Sequence, residues 1–129
     1  MIRDDVDGPA GALAGVLAEL GRALPGARLA VLLDTEGLVV ASHRFREGPD
    51  PAAVAAEVAG CFPGMGRLAA ATGLGAGLEW SLAGGGGTLV CRRLPGRELF
   101  LAVVADPGEW RGRVRHAVAR AAAALAEHA

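Results

Sequence analysis

Lysine, asparagine, glutamine and tyrosine do not occur in this 129-residue chain. Each absence removes a class of chemistry. A phosphate-binding loop of the form GxxxxGK[ST] needs a lysine to reach the phosphates, so no such loop exists here. Aromatic residues make up only 4% of the chain, which leaves no stacking platform for single-stranded nucleic acid. All 13 basic residues are arginine, and 14 acidic residues balance them to a net charge of −1. No basic field is available to gather nucleic acid or an anionic membrane. Cysteine is equally scarce. Cys61 and Cys91 lie 30 positions apart with no CxxC pair; they could bridge in principle, but read better as small apolar thiols in a core. No apolar run approaches the roughly 20 residues that span a bilayer. The acidic start, Met1-Ile2-Arg3-Asp4-Asp5, lacks the charge pattern of a secretory signal. A cytoplasmic protein without direct membrane insertion is expected.

What is present is apolar. The hydrophobic fraction is 52% against 21% charged, so a folded domain with its own core is expected. Twenty glycines accompany abundant alanine and arginine, a bias of the kind a G+C-rich coding sequence imposes. A glycine therefore carries less information here than usual. The organisation expected is an acidic tail over residues 1–8, holding Asp4, Asp5 and Asp7, and one domain over 9–129.

Leu13, Val16, Leu17, Leu20 and Leu24 recur at threes and fours, which predicts a helix over about 9–24 closed by Pro25-Gly26. Two β-rich runs follow, Arg28 to Asp34 and Leu38 to Ser42, joined by an Asp-x-x-Gly turn. Both are nearly all apolar, which predicts strands covered on both faces. Asp50-Pro51 is a helix start, and Val54, Val58, Cys61, Met65, Leu68 and Thr72 form the next helical stripe. Pro63-Gly64 falls inside it and is expected to kink the helix or split it. Three strand candidates come next: Leu78 to Leu82, Thr88 to Arg93, and Glu98 to Ala105. The glycines from Gly84 to Gly87 read as a turn longer than a tight hairpin. Asp106-Pro107-Gly108-Glu109 has the form of a capping box opening a last helix, with Trp110, Val114, Ala117, Val118, Ala121 and Leu125 on its buried stripe. The order is α-β-β-α-β-β-β-α.

No active site emerges from the pattern. Gly73-x-Gly75-x-Gly77 does not follow a strand and open a helix, so it lacks the setting of a dinucleotide fingerprint. His43, His116 and His128 are scattered without metal-ligand spacing, and neither Ser42 nor Ser81 has a base and an orienting group. Asp34, Asp50 and Asp106 already have turn or cap duties. No catalytic residue, cofactor or metal is assigned.

The stretch Ala30-Val-Leu-Leu-Asp-Thr-Glu-Gly-Leu-Val-Val-Ala-Ser42, the strand Leu99 to Asp106, and the helix after it together resemble the roadblock/dynein light-chain family. The resemblance covers about residues 10–127. It implies a three-layer α/β/α fold of the α+β class. A five-stranded antiparallel sheet would carry the second helix on one face and the first and third on the other. It also implies a homodimer built by the edge strand Leu78 to Leu82 and the second helix, with no catalytic residues. Bacterial relatives bind a small Ras-like GTPase or serve as signalling scaffolds, which would place a partner surface at Val54, Val58 and Met65. The residues themselves add that an edge strand around Trp80 with few charges aggregates unless paired. Gly60 and Gly64, four apart, would allow close helix approach across a two-fold axis. Arg92-Arg93 reads as a solvated strand end. The competing reading is a ligand-sensing domain of profilin or GAF type, with a pocket lined by Trp80, Phe62 and Trp110.

Overall fold

The computed structural model describes residues 9–129, with side chains from residue 11 onward. The acidic segment over residues 1–8 lies outside the described residues. The elements are α1 (Pro9–Ala23), β1 (Ala27–Asp34), β2 (Val39–Arg44), α2 (Pro51–Ala71), β3 (Glu79–Gly84), β4 (Gly87–Arg93), β5 (Leu99–Ala105) and α3 (Arg111–Ala126). The strands form one antiparallel sheet in the order β2-β1-β5-β4-β3. This is the α+β, three-layer arrangement that the resemblance implied.

Strand pairing aligns side chains in rows across the sheet. Trp80 pairs with Cys91, Cys91 with Ala102 and Ala102 with Val31, which puts all four on one face. That face packs under α2, where Ala55 and Val58 meet Leu29, Val31 and Leu33. The alternate residues Val90, Val103 and Ala30 face the other way. There they meet the leucine stripe of α1 (Leu13, Leu17, Leu20, Leu24) and the stripe of α3 through Val114, Val118 and Leu125. Each fully buried leucine contributes about 2 kcal/mol of transfer free energy, so this second layer dominates the stability.

The hairpin β1–β2 is held as its sequence dictates. The Asp34 carboxylate accepts the N–H groups of Glu36 and Leu38 at 2.9 and 3.0 Å, and Gly37 takes a positive φ of 90°. At the other end of the sheet, the hairpin β3–β4 is tighter than expected. Gly84 pairs directly with Gly87, leaving Gly85-Gly86 as a two-residue turn.

Three further expectations are corrected, and one open alternative is decided. β2 is not covered on both faces. It is an edge strand, and Leu38 just before it is 65% exposed. An apolar run announces burial without saying whether the chain itself supplies the cover. α2 is not split, because Pro63 sits within one continuous helix on its exposed side. The lost hydrogen bond there falls where water can satisfy the freed carbonyl. The capping box does not form. α3 begins at Arg111 with Trp110 at its N-cap, so Trp110 leaves the buried stripe and is 82% exposed. Asp106 instead accepts from Arg28 Nε at 2.7 Å and pairs with Arg46, and these two guanidinium groups, Arg46 foremost, hold its carboxyl below its ordinary value. Glu109 takes the N–H of Gly26 at 2.5 Å, tying the end of α1 to the start of α3. Lastly, Cys61 is exposed while Cys91 is buried, and the two are free thiols. Asp50 does occupy the N-cap of α2, but without a side-chain cap bond.

Candidate interaction surface

α2 touches the sheet mainly through its first half. Beyond Val58 the expected stripe turns outward: Cys61, Met65 and Leu68 are exposed, Leu68 by 57%, while Phe62 and Ala69 keep the second half in contact with the rest of the domain. Between α2 and the outer strands lies an open groove of about 330 Å³. Val54, Val58 and Cys61 form its helical wall, and Trp80, Leu82 and Leu89 form its sheet wall. Glu57 is the charged residue at its margin.

Trp80 is half-buried against the α2-side core, and its indole N–H is buried with no acceptor among the described residues. An orphaned donor of this kind costs about 1–3 kcal/mol. β3 pairs with β4 on one side and has an open edge on the other. Leu82 on β3 is 67% exposed, and Leu78 just before the strand is 64% exposed. The charge that could guard this edge is occupied elsewhere. Glu79 accepts from Arg92 of β4 at 3.0 Å and from Arg115 of α3 at 2.5 Å. The edge therefore lacks the free charge that natural edge strands use against uncontrolled pairing.

The expected site residues divide accordingly. Val54, Val58, Trp80 and Leu82 are brought together around the groove. Leu78 sits one residue before β3, its carbonyl accepting the Arg93 N–H at 2.8 Å. Gly60, Gly64 and Met65 lie on the exposed side of α2, outside the groove lining. A Cβ at Gly60 would meet nothing within 4 Å, so no part of the chain closes on that glycine. Cys61 and Leu89 were not anticipated at the site; the 2-residue alternation of β4 placed Leu89 on the face of Cys91. The Phe62, Trp80 and Trp110 pocket does not assemble. Phe62 stacks on Phe100 at 4.3 Å between ring centroids, and Trp110 stands in solvent.

Among the described residues no cluster of histidine, cysteine and acidic side chains could hold a metal ion, and no helix is long and apolar enough to cross a membrane. Burial, and secondarily the nearby Cys61, pushes the Cys91 thiol up to about 12, which makes it a poor nucleophile. On the opposite face of the sheet, α1 and α3 enclose a longer trough of about 730 Å³ that the sequence did not reveal.

No family model and no curated protein matches the sequence. Solved structures do. The MglB structure from Thermus thermophilus, described as a gliding protein, matches with a TM-score of 0.85 and 31% identity over 94% of this chain and 90% of that one. An MglB in a tetrameric arrangement matches at 0.87 and 30%, with the same coverage. A Roadblock/LC7 domain from Streptomyces avermitilis shares the fold at 0.77 and 21% identity, over 89% of this chain and 95% of that one. The chain belongs to the roadblock/LC7 family.

Proposed function

We propose that this roadblock protein is a non-catalytic, homodimeric regulator or scaffold that acts in the cytoplasm and binds a small Ras-like GTPase. The observation that carries the reading is the α2–β3 face. It combines an unpaired apolar strand edge, exposed Leu78 and Leu82, and a groove walled by Val54, Val58 and Trp80. Pairing β3 with its copy would satisfy the open backbone groups and cover the leucines in one step. The exposed outer half of α2, with Met65 and Leu68, would then sit beside its twin as a joint platform. The GTPase as partner rests on family membership and on the likeness to MglB.

Action on the GTPase would come through surface complementarity, by repositioning the GTPase's own residues. The test is co-elution with small GTPases of the same organism in their GTP and GDP states, with GTP turnover followed in parallel. A nucleotide-dependent complex is expected. Failure of every Ras-like GTPase of that organism to bind would remove the GTPase from the proposal, while a monomer in light scattering would remove the dimer.

A further inference from the structure

The trough between α1 and α3 lies on the face of the sheet away from the α2–β3 groove and has no role in the proposed function. We propose that it is a docking site for an acidic amphipathic helix of a second protein.

Its shape comes from small residues on both walls. Ala12, Gly15 and Ala23 on α1 and Ala117, Ala121 and Ala124 on α3 line it, with Val16 and Leu20 between them. The lining runs from Ala12 to Ala23 on one helix and from Arg113 to His128 on the other. At a rise of about 1.5 Å per residue, that is a trough of roughly 20 Å, open along its length, which matches three to four turns of a third helix. Small walls let a partner backbone approach to about 8–10 Å between axes, with the partner's larger side chains filling the floor.

The walls also decide the occupant's backbone. Both are helices whose N–H and C=O groups are satisfied internally, so the trough offers no ladder to an extended peptide. A helix brings its own hydrogen bonds and needs only side-chain packing. The polar residues of its lining, Glu19, Arg113, His116, Arg120 and His128, are strung along the two helices rather than gathered at one point, as they would be to orient a small molecule.

The rim sets the charge. Arg113, His116 and Arg120 recur at three and four along α3, a row on one side of the trough. Arg120 and His116 have no ion-pair partner among the described residues, and Arg113 reaches Glu109 only at 3.7 Å. Glu19 on the opposite rim is already paired with Arg22. A helix with glutamate or aspartate at matching spacing would meet this row. A second copy of the same trough would instead set arginine against arginine, which disfavours self-docking here.

The test uses the full chain and a labelled helical peptide of roughly 18 residues, with leucines at three-and-four spacing and glutamates along one flank. Fluorescence anisotropy should show saturable binding. A peptide with lysines in place of the glutamates should bind at least about tenfold more weakly, as should the glutamate peptide to an R113E/R120E protein. Gly15→Leu should abolish binding by projecting a large side chain from the wall into the trough. Gly15 is open, with nothing within 4 Å of an added Cβ, so this variant should fold. Leu82→Arg, on the other face, should leave peptide binding unchanged, which keeps this result separate from the GTPase reading. The proposal is overturned by no saturable binding, by equal binding of both peptides, or by indifference to the arginine reversals. A change in sedimentation mass on Gly15→Leu would overturn it too, since the trough would then be a contact between copies.

Discussion

Cys91 sits at the centre of the α2-side row with its thiol raised from 9.0 to about 12 by burial. The consequence for stability has a definite sign. In the unfolded chain this cysteine ionises above pH 9, while in the folded protein it keeps its proton up to about pH 12. Its contribution is therefore full below pH 9 and is lost as pH rises toward 12, by about 4 kcal/mol in all at roughly 1.4 kcal/mol per unit. The absence of lysine and tyrosine leaves few other groups titrating in that window. Denaturant unfolding between about pH 9 and 12 should show this decline in the native protein. In Cys91→Val the steep part should vanish. A second residue-scale prediction concerns Gly87, whose φ of 144° and position against Ala105 leave no room for a side chain. An added Cβ would lie 2.3 Å from the Ala105 carbonyl oxygen. Gly87→Ala should lower stability by about 3 kcal/mol, while Gly84→Ala, with nothing within 4 Å, should change it by less than about 1. Thermal denaturation of the two variants separates them.

Elements show how far the sequence carries. The stripes of α1 and α3 are legible because helical spacing repeats regardless of what covers it, and Leu13 to Leu24 all reach the core. The Asp34 turn is legible because its hydrogen bonds close within five residues. What failed was decided by distant partners. Asp106 and Glu109 have the spacing of a capping box, yet Arg28 and the Gly26 N–H, about 80 residues earlier, claim them first. β2 reads as a strand covered on both faces, yet it is an edge strand whose residues are mostly exposed. Four of the anticipated site residues meet at the groove, because strand and helix periods fix their faces. The trough was invisible, since Gly15 and Ala121 line one cavity only when two helices remote in sequence pack side by side. Pro63 belongs to this scale as well. It is exposed within a continuous α2, so Pro63→Ala should restore a helical hydrogen bond and raise stability by about 1–3 kcal/mol in chemical denaturation. No gain would show that the helix is already bent to suit its contacts.

For the whole molecule, the proposed pairing makes a sharp prediction. Leu82 is mostly exposed in the isolated chain, so Leu82→Arg should leave the fold and its unfolding transition nearly intact. It should nevertheless weaken self-association by about a hundredfold, since a charge would be buried against its own copy across a two-fold axis. Light scattering over a concentration series reads the difference. A dimer unaffected by this change would move the interface away from β3.

The sheet separates two layers, α2 above and the α1–α3 pair below, and this has a consequence for stoichiometry. A copy joined at β3 would place both α2 helices next to the symmetry axis, where a single asymmetric partner fills the space for two. The two troughs would stand off the axis, each free to take its own ligand. Such a dimer is monovalent above and bivalent below: a partner tethered to both troughs would gain from effective concentration, while one bound at the axis could not.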